Sequence, residues 1–106
     1  MQPMRKSGLI NELYNLERSA QIVDGNSYWA AINRSDRYWT PMLLRWNILT
    51  HAGTADDLRE GGIETGYHRR RTVYKVNHHI LKKLKDGSES FGKNVDEEDV
   101  NRVLFS

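Results

Sequence analysis

The sequence contains no cysteine, and this absence removes three classes of chemistry. A chain without thiols forms no disulfide framework, no thiolate metal site and no cysteine nucleophile. It also has no apolar run approaching the roughly 18 residues that a membrane-spanning helix requires. No signal-peptide core follows the charged start at Arg5 and Lys6. We therefore expect a soluble, cytoplasmic protein with no membrane partner.

The usual sequence patterns for catalysis and metal binding are also missing. The chain has no nucleophile elbow, no phosphate-binding loop and no zinc-protease motif. His78 and His79 are adjacent, so on a helix they would point about 100° apart and could not share a metal. The acidic run from Asp96 to Asp99 lacks the ligand spacing and the glycine of a calcium loop. We predict no enzymatic activity, no cofactor and no bound metal.

Charge is unevenly distributed along the 106 residues, although the net charge is only +2. Residues 86–106 hold two bases and six acids. By contrast, residues 67–85 hold no acid and seven bases: Arg69, Arg70, Arg71, Lys75, Lys82, Lys83 and Lys85. A concentrated basic block indicates a polyanionic partner such as nucleic acid. One further hypothesis is that the acidic segment folds onto the basic block when no partner is bound.

Hydrophobic spacing predicts a mainly α fold with four to five helices, which also allows a small β-hairpin. The stripe Leu9, Leu13, Leu16, Ala20 and Val23 indicates a core-packing or dimerising helix that ends near residue 24. Thr40 followed by Pro41 is typical of a helix start. Thr54 is expected to cap a short helix from Ala55 to Glu60, and Asp96 to Leu104 to form a last one.

The region from Arg70 to Lys85 fits one amphipathic helix at 100° per residue. Its apolar side consists of Val73, Val76, Ile80 and Leu84. Opposite them, within an arc of about 80°, lie Arg71, Lys75, His78, Lys82 and Lys85. One face would then pack on the domain and the other would present a line of cations. Residues 71–76 also alternate as a strand does, and that alternative stays open.

Residues 40–87 resemble helix-turn-helix domains, particularly the winged-helix regulators. The pieces are a support helix from Pro41 to Ala52, the Thr54-Ala55-Asp56-Asp57-Leu58 segment, and a basic helix from Thr72 that closes with Leu-Lys-Lys-Leu-Lys-Asp-Gly. The resemblance implies a small regulator of transcription or replication that binds double-stranded DNA. It implies base-edge contacts near Arg70, Arg71, Thr72, Tyr74 and Lys75, and phosphate contacts along His78, Lys82 and Lys85. Arg69, in the same basic block, completes the predicted nucleic-acid-binding set.

The expected organisation is one domain over residues 1–106. It would comprise a flexible N-terminus (1–6), N-terminal helices (7–39), the helix-turn-helix-like region (40–87) and an acidic C-terminal segment (88–106). A homodimer could form through the first helix.

Tyr and Trp side chains are concentrated between residues 28 and 46, and they allow two interpretations. As core residues they would anchor helix packing. As surface residues they would form a protein interface made of Tyr28, Trp29, Arg34, Arg37, Tyr38 and Trp39, because exposed Trp, Tyr and Arg are typical interface anchors. The alternative function is accordingly a protein-interaction module, an adaptor or inhibitor, that uses this cluster or the charged C-terminal third.

Overall fold

The computed structural model describes residues 3–105, and these residues combine helices with antiparallel sheet. They are 51% helical and 21% strand, so the prediction of a mainly α fold is wrong. None of the helices in this range has the length and apolar character needed to cross a membrane.

Helices and strands are interspersed along the chain. In order they are β1 (Met4–Arg5), α1 (Lys6–Ser19), β2 (Gln21–Val23), β3 (Asn26–Trp29), α2 (Arg34–Arg45), β4 (Leu49–Thr54), α3 (Ala55–Glu60), β5 (Thr72–Val76), α4 (His78–Gly87), β6 (Asn94–Val95) and α5 (Glu97–Leu104), with a 3₁₀ turn at Ser88–Ser90. The described chain forms two compact units, a terminal unit (residues 3–18 with 78–105) and a central unit (residues 19–77). The expected single domain stays a prediction.

The central unit is built on a four-stranded antiparallel sheet in the order β2-β3-β5-β4. Strands β2 and β3 form a hairpin around Asp24 and Gly25, whose φ values of 52° and 80° are both positive. A two-residue hairpin turn of type I′ requires positive φ at both central positions, and Asp-Gly is one of its preferred pairs. The first helix therefore ends at Ser19, and residues 21–23, expected to continue it, form a strand.

Strand β5 lies inside this sheet and replaces the first half of the predicted basic helix. Its Tyr74 pairs with Trp29 on one side and with His51 on the other. Val73 is fully buried in a core cluster that includes Leu58. Pairing on both sides and this burial favour the strand, whose β-branched and aromatic residues suit a sheet. The prediction of one continuous basic helix from Arg70 to Lys85 is thus wrong. The alternative, a strand within residues 71–76, is confirmed.

Helix α2 begins earlier than the Thr40-Pro41 signal predicted. Asn33 caps it, accepting a hydrogen bond from the Asp36 N–H while the Asp36 carboxylate accepts one from the Asn33 N–H. This reciprocal cap fixes the start at Arg34, and Pro41 lies inside the helix. After Arg45 the helix ends, and the chain forms strand β4 from Leu49. The support helix and the continuous recognition helix required by the helix-turn-helix resemblance are therefore not found in residues 40–87.

The terminal unit contains α1, α4, α5 and the antiparallel pair β1-β6. Leu9, Leu13 and Leu16 of α1 are fully buried, as expected of a core-facing helix. Helix α5 starts with a reciprocal cap between Asp96 and Asp99, so the acidic run serves as the start of a helix. This confirms the predicted last helix.

Gly87 closes α4 with helical φ and ψ of −71° and −23°. A Cβ at this position would lie 2.5 Å from Val103 Cγ1, so α4 and α5 approach closely here. Glycine is needed at this position because it has no side chain, since its backbone angles are ones that any residue adopts.

Candidate functional site

The structure divides the predicted nucleic-acid-binding residues between the two units. Arg69, Arg70 and Arg71 precede β5, which carries Thr72, Tyr74 and Lys75, all in the central unit. His78, Lys82 and Lys85 lie on α4 of the terminal unit. Side chains alternate along a strand, so Lys75 points to the opposite face of the sheet from Tyr74.

Lys82 and Lys85 on α4 of the terminal unit already have anionic partners. The Lys82 ammonium lies 2.8 Å from the Asp86 carboxylate, and Lys85 forms an ion pair with Glu17. The hydrogen bond with Glu17 is the main reason that the pKa of Lys85 is raised, while burial opposes the shift. Lys85 also lies 4.9 Å from the centre of the Tyr14 ring. A shallow groove of about 220 Å³ here is lined by two carboxylates as well as these lysines, which makes it a poor anion site.

The arginine loop of the central unit, residues 69–71, is held in place by its main chain. The Ala55 N–H donates to the Arg71 carbonyl and the Asp56 N–H to the Arg69 carbonyl, both at 2.9 Å. The Arg71 N–H donates to the His68 carbonyl at 2.8 Å. These bonds satisfy free N–H groups at the start of α3, which would otherwise need solvent or a capping group. The side chains of Arg69 and Arg70 remain exposed.

Next to this loop, a cleft of about 440 Å³ opens between α2 and β5. It is lined by Ala31, Arg37, Thr40, Pro41, Leu44, Arg71, Thr72 and Tyr74. This lining combines two arginines, three hydroxyl-bearing residues and three apolar residues, and it includes no acidic residue. The Arg71 guanidinium donates to the Ala31 carbonyl at 2.7 Å, which fixes it at the cleft. A guanidinium has five N–H donors, so most of its donors remain for a ligand.

Arg37, Arg69, Arg70 and Arg71 make no ion pair within the described part of the chain. The acid nearest to Arg37 in sequence, Asp36, accepts hydrogen bonds from the N–H groups of Ile32 and Asn33 at the start of α2. The positive charge of these four arginines is therefore less compensated than that of Lys82 and Lys85. Uncompensated arginines beside a cleft are an arrangement that attracts anions.

Asp57 is similarly engaged in capping α3, where it accepts a hydrogen bond from the Thr54 N–H. That bond, followed by one with the Thr54 hydroxyl, lowers the pKa of Asp57, and burial opposes the shift.

Tyr74 supplies the aromatic surface of the cleft. Its ring centre lies 6.2 Å from that of the buried Trp29 and 5.2 Å from that of His51, with tilted planes in both pairs. His51 is exposed on the neighbouring strand. Two ring neighbours restrict the orientation of Tyr74, which is only partly buried and so keeps surface for a ligand.

The predicted protein interface is split by burial. Tyr28, Trp29 and Trp39 are buried, in agreement with the core interpretation of the aromatic cluster. Arg34, Arg37 and Tyr38 are exposed on α2, and Tyr38 packs edge-on against Trp39.

Sequence reasoning missed the α2 side of the cleft and His51. The reciprocal cap of Asn33 and Asp36 was the available signal, since a helix starting there aligns Arg37, Thr40 and Leu44 on one face by their spacing of three and four residues. No local signal relates that face to Tyr74, because β5 is placed by pairing with β3 and β4, which are distant from it in sequence.

Comparisons with protein-family models, curated protein sequences and solved structures found no match to this chain. Within residues 3–105, no three or more His, Asp or Glu side chains are grouped so that they could hold a metal ion.

Proposed function

We propose that this protein binds nucleic acid through the arginine loop and the adjacent cleft of its central unit. The observation that carries the proposal is the set of four arginines without ion pairs, Arg37, Arg69, Arg70 and Arg71, beside a cleft that has no carboxylate in its lining. A role in cytoplasmic control of transcription or replication, expected from the sequence, is part of the same proposal and depends on the same surface.

Arginine suits this role for two physical reasons. The planar guanidinium can bond two phosphate oxygens at once, and it is less strongly hydrated than an ammonium. The main-chain bonds that hold the loop at α3 also position Arg69 and Arg70 before a ligand arrives. Preorganisation lowers the ordering cost of binding.

The test is a salt titration of binding to labelled single-stranded, double-stranded and RNA probes. Each neutralised phosphate contributes about 0.7–0.9 to the slope of log affinity against log salt. Four arginines therefore predict a slope of about −2.8 to −3.6, which is a loss of about 50- to 150-fold between about 50 and 200 mM salt.

The decisive variant is Arg69→Ala/Arg70→Ala, and its matched control is Lys82→Ala/Lys85→Ala. The first should reduce the magnitude of the slope by about 1.4–1.8, whereas the second removes cations already paired and should leave the slope unchanged. Absence of binding to every probe, or equal effects of the two variants, would contradict the proposal.

The alternative of a protein-interaction module rests on exposed apolar side chains near the start of α2. Tyr38 is 66% and Ile32 59% exposed. A partner bound there would show a weak salt dependence and a loss of affinity in Tyr38→Ala. Nucleic-acid binding through the arginines predicts a steep salt dependence and an unchanged affinity in Tyr38→Ala.

A further inference from the structure

The shape and chemistry of the cleft restrict which part of a nucleic acid could enter it. Its lining includes the apolar and aromatic side chains of Leu44, Pro41 and Tyr74, and the two arginines Arg37 and Arg71 belong to the same lining. Its volume of about 440 Å³ falls in the range of sites that enclose small organic ligands. A flat phosphate-binding surface for a duplex needs neither apolar side chains nor a recess.

We propose that the cleft takes one unstacked nucleotide of a single strand, with its base against Tyr74 and its phosphate at Arg37 and Arg71. This inference rests on the proposed function and specifies its substrate class. The shared chemistry, an aromatic base joined to a phosphate, also exists in free nucleotides, so the experiment below separates the two sources.

The surroundings of Tyr74 support a stacking role. Trp29 and His51 flank the ring, so stacking of a base would cost little side-chain entropy. Base–aromatic stacking is the common means by which proteins hold single strands. Bases in a duplex are paired and stacked, so a base must leave the helix before it can fill a cleft.

Arg71 adds a fixed electrostatic partner. Its bond to the Ala31 carbonyl anchors the guanidinium in the cleft lining that Tyr74 shares. Arg37 reaches the same cleft from α2. Separately, the main-chain carbonyl of Arg37 lacks the usual helical partner because Pro41 has no N–H. The two cations thus come from different parts of the chain and line one recess, where together they more than offset the single negative charge of one phosphodiester.

The first experiment uses the wild-type protein and four ligands at one salt concentration. These are a single strand of about 10 nucleotides, its duplex, an abasic strand of equal length, and deoxyadenosine monophosphate. We expect the single strand to bind about 5- to 150-fold more tightly than the abasic strand, which corresponds to the about 1–3 kcal/mol of one lost base stack. The duplex and the mononucleotide should both bind more weakly than the single strand.

The second experiment uses variants of the ring. Tyr74→Leu should lower single-strand affinity by the same about 5- to 150-fold, and Tyr74→Phe should retain it. The matched control is Tyr38→Leu, which removes an exposed tyrosine of α2 outside the cleft and should leave affinity unchanged. Duplex affinity should be the same in all three variants.

Two kinds of failure are distinguishable. Equal binding of the abasic and normal strands, a preference for duplex, or a mononucleotide that binds as tightly as the strand overturns the cleft assignment. The nucleic-acid function survives those results if the salt slope still depends on Arg69 and Arg70. Absence of binding to all four ligands overturns both. The abasic comparison needs no variant, so it decides the question even if Tyr74→Leu does not fold.

Discussion

The close approach of α4 and α5 at Gly87 gives a stability prediction whose sign depends on one neighbouring side chain. Gly87 has helical backbone angles, so Gly87→Ala would ordinarily stabilise a helix by about 0.5–1 kcal/mol. The added methyl, however, would lie 2.5 Å from Val103 Cγ1 and 2.9 Å from Cγ2. Valine is branched at Cβ and cannot rotate freely away.

The steric effect should exceed the helix effect. Forcing a methyl into a packed contact costs about 1–3 kcal/mol, so Gly87→Ala should lower the free energy of unfolding by up to about 2.5 kcal/mol after the helix gain is subtracted. In a Val103→Ala background the obstructing methyls are gone. The same substitution should then stabilise the protein by up to about 1 kcal/mol.

Urea denaturation followed by far-UV circular dichroism measures the free energy of unfolding of the wild type, the two single variants and the double variant. The expected coupling energy between positions 87 and 103 is about 1–3 kcal/mol, typical of residues in direct contact. If Gly87→Ala stabilises the wild-type background, or changes stability equally in both backgrounds, the close approach described for Gly87 and Val103 is refuted.

Three further predictions concern caps, pH and the cleft. Asn33→Ala should lower the free energy of unfolding by about 1 kcal/mol through loss of the α2 cap, whereas Ser35→Ala, at an exposed position inside the first turn, should have little effect in the same urea titration. Because the folded-state pKa of Asp57 is lowered, its contribution to stability is present above the ordinary carboxyl pKa of about 3.9 and is lost as pH falls through the lowered value. Asp57→Asn should therefore reduce stability at neutral pH and weaken the dependence of stability on pH below about 4, and an unaltered acid limb would contradict this. Arg71→Lys should keep the salt slope but lower nucleic-acid affinity about 5-fold, because an ammonium cannot bond the Ala31 carbonyl and a phosphate with the same planar geometry.

Helices whose start signals lie in the helix itself or directly before it were predictable from the sequence. Thr54 as a cap predicted α3 with its observed bounds, and the last helix was predicted over Asp96 to Leu104, where α5 lies. The apolar stripe from Leu9 predicted the existence of α1 but not its end at Ser19. In each case the information is local, because a cap and the helix it starts lie within a few residues of each other.

Strand β5 shows why the rest was not predictable. Val73 and Val76 are three residues apart, which fits a helical face, while the alternation of Thr72 to Val76 fits a strand. Only pairing with two other strands decides between these periods, and that pairing is distant in sequence. The arginine triplet was recognised from composition, but the cleft beside it needs α2, whose Arg37 lies far from Arg71 along the chain.

The way the arginine loop is held has a consequence for how this surface could change in evolution. The bonds from Ala55 and Asp56 reach main-chain carbonyls of the loop, and every residue type provides such a carbonyl. The side chains at positions 69 and 70 are therefore not needed to maintain the shape of the loop. New residues at these positions could alter what the protein binds at little cost in folding stability, so the loop is a part of the chain where binding preference can diverge while the fold stays the same.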